Sequence, residues 1–442
     1  MTTMKPRIVP LFFEPGRDDG FDTQLAALNG LLGEQAELLP PVALGRPLPE
    51  ADAVIFPQLL GEAYRRLADF KALRLPILIV TSQFGTLSMW DWEIIAYLRS
   101  EGVETLAPYN LAQTRKALNA LRVKRELQST KFLVYQDNPG EGAQASIFKR
   151  FYWWEDECTQ RMKERFGVTI EKRSFRELGA RAKTISDAEA ERAWQERQVP
   201  VAGVASRPLH SALKLYLAVK RDMEQDAAIR AVGINCLNES HFSDTTPCLA
   251  WNLLYRERKL VWGCEADTVS MLTQYLLQHS LEVPIMMTNL YPFPLGDAAL
   301  KHERIAKFPD VPGDPADYML VAHCGYMGVI PQPFATDWTL RKKVLAIVDD
   351  NATAIDARLP VGDITLAKLQ PTFRSLTVAE GALTGYAQYP ESDCRNGGVV
   401  RFRDGRRMMD ALCSHHALLM TGRNLADIRL IAKLFQLEIE EP

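Results

Sequence analysis

The sequence predicts an α/β protein: two doubly wound α/β domains followed by a β-rich C-terminal domain. Three observations carry that expectation. Short, wholly apolar runs alternate with amphipathic helical stretches over roughly the first 340 residues, the pattern of parallel strands covered by helices. A long helical stretch at 112–126 is followed by a fresh strand at 131–136, so the alternation starts a second time. Beyond about residue 340 the apolar period falls towards two and Gly, Pro and Asp punctuate it, as in an antiparallel sheet or small barrel. The expected domains are 1–127, 128–340 and 341–442.

In order along the chain, 8–13 (IVPLFF), 53–56 (AVIF) and 77–81 (ILIVT) are apolar on both faces and read as buried parallel strands. Helical spacing fills 23–32, 62–73 and 90–99, the last with Ile94, Ile95 and Leu98 on one face. In the second domain the expected strands are 131–136 (KFLVYQ), 167–171, 231–235, 260–264 (LVWGC) and 318–322 (YMLVA). The helices between them are 148–166, 188–196, 207–226 and 265–279. The last third offers strands at 354–359, 363–369, 375–386 and 398–403, a closing helix at 424–435 and a short strand at 438–440.

Composition excludes several classes. Lys and Arg number 52 against 55 Asp and Glu, so the basic excess of a nucleic-acid or acidic-membrane surface is missing. No run approaches the roughly 18 apolar residues of a membrane helix. The start, MTTMKPRIVPLFF, turns strand-like at once without a small-residue cleavage site, so a cytoplasmic protein is expected. Seven scattered cysteines with no CxxC support neither a disulfide framework nor a zinc ribbon.

Ligands of open α/β sheets sit at the carboxyl ends of the strands, so the residues that follow each strand are the informative ones. Two such segments, 81–86 and 136–142, are polar loops without a phosphate-binding glycine spacing. Glu265 and Asp267 follow LVWGC at a strand-to-helix junction, where free helix-start amides favour ionised carboxylates. Asp267 also fits a plain N-cap. His323 directly follows YMLVA, and His415-His416 lie on an extended segment, where neighbours point to opposite sides. Glu265, His323 and one of His415 and His416 together have the O and N donors of a Mn²⁺ or similar divalent site. A structural histidine is the bland alternative for His323.

At these residues the chain resembles the L-fucose isomerase/L-arabinose isomerase superfamily, over essentially its whole length. Four segments carry the resemblance: Thr246-Pro247-Cys248-Leu249-Ala250 with Cys264-Glu265-Ala266-Asp267; YMLVAHCG at 318–325; GDITLAKL at 362–369; and Ser414-His415-His416-Ala417-Leu418. They are similar to the family's PCLAL…CEGD, LVLAHCG, pre-C-terminal β segment and GAHHT stretches. The resemblance implies two Rossmann-like domains and a β-rich C-terminal domain. It also implies a homo-oligomer, a trimer or hexamer, with Mn²⁺-dependent aldose–ketose isomerisation. Glu265 then matches a metal-binding acid, His323 a histidine near the metal, and His416 the C-terminal metal histidine. The family's second acid falls where this chain reads Thr288-Asn289, with no carboxylate. Asp267, Glu239 or Asp244 could stand in for it.

Three functions follow as expectations. In the first, Mn²⁺ polarises an open-chain sugar, Glu265 or Asp267 moves the proton through a cis-enediol, and Asn289 binds a substrate hydroxyl. In the second, a metal-independent glycoside hydrolase pairs Glu265 with Glu141, Glu239 or Asp267. Trp90, Trp92, Trp153, Trp154 and Trp251 then offer stacking surfaces, against core or interface packing as the alternative. The third is a non-catalytic sugar-binding protein. Glu141, Glu239, Asn289 and His415 are the substrate-binding candidates in this set.

Overall fold

The computed structural model describes residues 4–14, 17–59, 61–137, 155–234, 243–300, 305–322, 330–343, 351–389 and 396–442. It is a mixed α/β structure with parallel sheets and a separate antiparallel barrel. The chain divides into two compact units. The first is Met1–Gln128 with His279–Leu281 and Ala426–Leu437; the second is Ser129–Gln278, Glu282–Leu425 and Glu438–Pro442.

The first unit is built on strands β1 (Arg7–Phe12), β2 (Glu37–Leu38), β3 (Val42–Ala43), β4 (Ala53–Phe56), β5 (Ile77–Ile79) and β6 (Thr105–Leu106). All pair in parallel in the order β2-β1-β4-β5-β6, with β3 beside the end of β1. Strand order therefore reverses between β1 and β4, as in doubly wound sheets. The apolar runs are buried on both faces: Val54, Ile55 and Phe56 have no exposed surface. Phe13, Phe56 and Phe70 pack on one another, with Phe56 and Phe70 stacked at 4.9 Å. The helix expected at 62–73 is a 3₁₀ stretch, Gly61–Arg66, running into the short helix Leu67–Ala72.

The second unit contains β7 (Lys131–Tyr135), β8 (Thr169–Arg173), β9 (Val201–Ala202), β10 (Ile229–Ile234), β11 (Val261–Cys264), β12 (Ile285–Pro292), β13 (Tyr318–Ala322), β14 (Asp337–Lys342), β15 (Thr353–Arg358), β16 (Gly362–Leu369), β17 (Ser375–Gln388), β18 (Asn396–Arg401), β19 (His416–Thr421) and β20 (Glu438–Glu440). Strands β11-β10-β7-β8 form a second parallel sheet, and β15-β14-β9 a small mixed one. The barrel runs β16-β19-β12-β13-β18-β17, and pairing of β17 with β16 closes it, which leaves no free edge among these six strands. Every pairing around that ring is antiparallel.

Strands β12 and β13 differ from the expected pattern. In sequence they sit inside the α/β alternation, yet they are drawn into the antiparallel barrel. All eight residues of β12 and all five of β13 are buried. A continuous apolar run reports burial on both faces, and a barrel wall covered from outside gives the same run as a parallel strand between helices. Among the described residues no helix is long and apolar enough to cross a membrane.

Candidate functional site

The site grows from the turn after β11. Glu265 and Ala266 both have left-handed backbones, with φ of 52° and 53°. That conformation costs a residue with a Cβ roughly 1–2 kcal/mol, and such strain is held mainly at functional turns. The Ala266 amide donates to the Ile234 carbonyl at 3.2 Å, and the Asp267 amide to the Cys264 carbonyl at 3.0 Å, so the turn is docked on the ends of β10 and β11. Two glycines facing each other, Gly233 and Gly263, make this approach possible. A Cβ on Gly233 would stand 3.1 Å from the Ala266 Cα, and one on Gly263 2.6 Å from Met271 Sδ.

Asp267 caps the Thr268–Leu281 helix, accepting from the Ser270 amide at 2.8 Å on Oδ1. Its Oδ2 accepts from Ser270 Oγ at 2.9 Å, Lys368 Nζ at 3.1 Å and His416 Nδ1 at 2.9 Å. Full burial alone would raise the Asp267 pKa. The Lys368 charge, the hydrogen bond and charge of His416 and the Ser270 amide outweigh it, holding the carboxyl well below the usual carboxylate range. An ionised carboxylate can only accept, so Nδ1 of His416 carries a hydrogen and, in the neutral ring, Nε2 carries the lone pair.

That Nε2 stands 3.9 Å from Glu265 Oε2, and His415 Nε2 lies 3.9 Å from the same oxygen. The two imidazoles overlap with centroids 4.1 Å apart. One ligand atom from each of Glu265, His415 and His416 falls within a 4.8 Å sphere of mutual distances, so the three could hold a metal ion. Ligand atoms bonded to one ion at about 2.1 Å stand roughly 3–4 Å apart, which these spacings approach. One carboxylate oxygen and two imidazole nitrogens suit a divalent first-row cation. Glu265 and His416 are buried, whereas His415 is exposed and faces solvent.

Barrel register adds Asn289. It pairs with His416 across β12 and β19, and directly opposed residues project from the same face. Asn289 is 8% exposed, and its Oδ1 is buried with no hydrogen-bond partner among the described residues. Thr288, the neighbouring position, is used internally: its hydroxyl donates to the Ala322 carbonyl at 3.0 Å.

Of the residues singled out in the sequence, the structure brings together Glu265, Asp267, Asn289, His415 and His416. Glu141, Glu239, His323, Trp153 and Trp154 lie outside the described residues. Asp244 is paired with Lys183 at 3.2 Å. Trp251 is core, 1% exposed, while Trp90 and Trp92 are exposed in the first unit. Sequence reasoning missed Lys368, which is 2% exposed and also donates to Ser270 Oγ at 2.5 Å. Its signal was present: a lysine in the apolar strand GDITLAKL either turns outward or answers a buried acid.

No protein-family model matches the chain, and no curated protein matches it. Among solved structures, a similar chain is a solute-binding protein of an ABC transporter from Agrobacterium vitis, bound with alpha-D-tagatopyranose. It is 12% identical over 54% of this chain and 79% of that one, with a TM-score of 0.15. A likeness at that level carries no inference about fold or ligand.

Proposed function

We propose that the chain is a divalent-cation-dependent enzyme of carbohydrate metabolism that interconverts an aldose and a ketose, with Mn²⁺ as the cation. The observation that carries the proposal is the convergence of Glu265, His415 and His416, from segments 149 positions apart. When bound, the cation acts as a Lewis acid on the carbonyl and hydroxyl oxygens of an open-chain sugar.

The chain's own residues have separate tasks. Asp267 holds His416 with Nε2 turned towards Glu265, the carboxylate–histidine arrangement that orients metal ligands. Lys368 offsets the buried Asp267 charge. Asn289 Oδ1 accepts from a substrate hydroxyl. Glu265, the remaining carboxylate, moves a proton between C1 and C2 through a cis-enediol. Hydrolysis by paired carboxylates would need Asp267 as the second acid, and four donors already occupy its two oxygens. The geometry favours isomerisation over it.

The same proposal includes a homo-oligomer, trimeric or hexameric, and a cytoplasmic location, where the free thiols of Cys158, Cys248, Cys264 and Cys413 would persist. Calorimetric Mn²⁺ titration, followed by proton NMR of a panel of aldoses and ketoses in D₂O, tests the function. Mn²⁺ should bind, one sugar should exchange its C2 proton for deuterium, and Glu265→Gln should lose both. Full turnover by Glu265→Gln, or wild-type protein without Mn²⁺ affinity, would overturn it.

A further inference from the structure

We infer that the ligand of this site is an anion: a polyhydroxylated carboxylate, with its ionised group at the cation and a hydroxyl held by Asn289. This rests on the proposal that Glu265, His415 and His416 hold a divalent cation, and it departs from a neutral sugar.

The ionised side chains joined to the cluster by hydrogen bonds and ion pairs among the described residues are Glu265, Asp267 and Lys368. Asp267 and Lys368 are both buried, 3.1 Å apart, and cancel. Imidazoles that ligate a metal do so in the neutral form, so His415 and His416 add no charge. Glu265 alone then answers a dication, and a charge of about +1 remains in this described set. The neutral Asn289 faces His416 across the barrel wall and supplies nothing to offset it. The start of the Thr268–Leu281 helix lies at Asp267 and adds partial positive charge of its own.

Burial makes that excess matter. Glu265, Asp267, Asn289, Lys368 and His416 are each less than a tenth exposed, and an unbalanced charge is far costlier there than in water. A ligand carrying one negative charge restores balance, whereas a neutral polyol leaves it. Asn289 sets the ligand's orientation. Its Oδ1 is an acceptor, so it repels a carboxylate and takes a hydroxyl. The acid must therefore sit towards the cation, with a hydroxyl on a nearby carbon reaching Asn289. His415, the exposed ligand, marks the open side.

D-Gluconate and D-glucitol share a six-carbon polyol chain and differ in the carboxylate, so they isolate this point. The full-length protein is loaded with Mn²⁺, freed of excess metal and titrated calorimetrically with each. Gluconate should bind at least roughly tenfold more tightly than glucitol, and removal of Mn²⁺ should abolish the difference. Asn289→Asp should tighten Mn²⁺ and narrow the preference to within about threefold, because it adds the missing charge. Glucitol binding as tightly as gluconate to the loaded protein would overturn the inference and leave the metal proposal standing. Gluconate binding equally with and without Mn²⁺ would also overturn it. A protein that takes up no Mn²⁺ would defeat the metal proposal itself, and the inference with it. Should Asn289→Asp fail to fold, the wild-type comparison decides alone.

Discussion

Asp267 is the residue on which the site's electrostatics turn. Its folded pKa is depressed, so it contributes stability that is present above the unfolded value, about 3.9, and is lost as pH falls through the folded one. Urea unfolding followed from pH 7 downward should show this contribution unchanged to near pH 4 and declining only below it. Asp267→Asn should lack that acid-sensitive component altogether. At pH 7 it should be less stable by roughly 3–5 kcal/mol, because Lys368 is then a buried charge without its counter-ion. A variant as stable as wild type would mean that the pair contributes nothing. Lys368→Met tests the other partner. Losing a group that supports a metal ligand indirectly costs about 10–100-fold in metal affinity, and calorimetry with Mn²⁺ should read a loss of that size. Unchanged affinity would confine Lys368 to packing.

At the level of elements, the facing glycines of β10 and β11 decide whether the acid-bearing turn can dock. Gly263→Ala would drive a methyl to 2.6 Å from two atoms of Met271, and overpacking of this kind costs typically about 1–3 kcal/mol. Chemical denaturation should register that loss; a neutral result would show that the Thr268–Leu281 helix shifts without penalty. Much of this architecture was legible in the sequence. Strands 53–56, 318–322 and 438–440 occur at their expected bounds, because their apolar or alternating runs end sharply at polar or turn residues. The N-cap role of Asp267 was legible too, from its place one residue before a helical period. Partnership was not. That β12 pairs with β19, placing Asn289 opposite His416, depends on a register between segments about 130 residues apart, and local periodicity carries no record of it. Lys368 was missed for the same reason, since its meaning lies in an acid 101 positions away. The two adjacent histidines were expected to diverge, only one serving the site. Instead both lie 3.9 Å from Glu265 Oε2, because His415 precedes β19 and is not bound to strand alternation.

At the scale of the molecule, the first unit exposes an unusual concentration of large apolar side chains. Phe84, Met89, Trp90, Trp92 and Tyr109 are each more than half exposed, on loops joined by the Leu87 amide donating to the Pro108 carbonyl. Side chains of this size present about 150–250 Å² apiece, so together they approach the roughly 800 Å² that one partner contributes to a standard interface. Light scattering at micromolar concentration should therefore report a multiple of 49.8 kDa, and Trp90→Ser with Trp92→Ser should shift it towards the monomer. A monomeric wild type would refute the assembly. The first unit is also discontinuous, and this leads to a sharper test. Besides Met1–Gln128 it gathers Ala426–Leu437, whose Asp427 is paired with Lys116 and accepts from Gln113 at 3.1 Å. Lys124 donates to the Leu434 carbonyl at 3.0 Å, and Ile428, Ile431 and Leu434 are buried. Burial of one such aliphatic side chain is worth about 1.5–3 kcal/mol, so three contribute on the order of 5–9 kcal/mol. A whole domain has a net stability of only about 5–15 kcal/mol, so the missing helix takes away most of the margin. A fragment ending at Gln128 should accordingly unfold over a broad range at lower temperature than the full chain and bind a hydrophobic dye. Adding a peptide spanning 424–437 should sharpen the transition. A fragment that melts as cooperatively and as high as the intact protein would show that the C-terminal helix is dispensable to this unit.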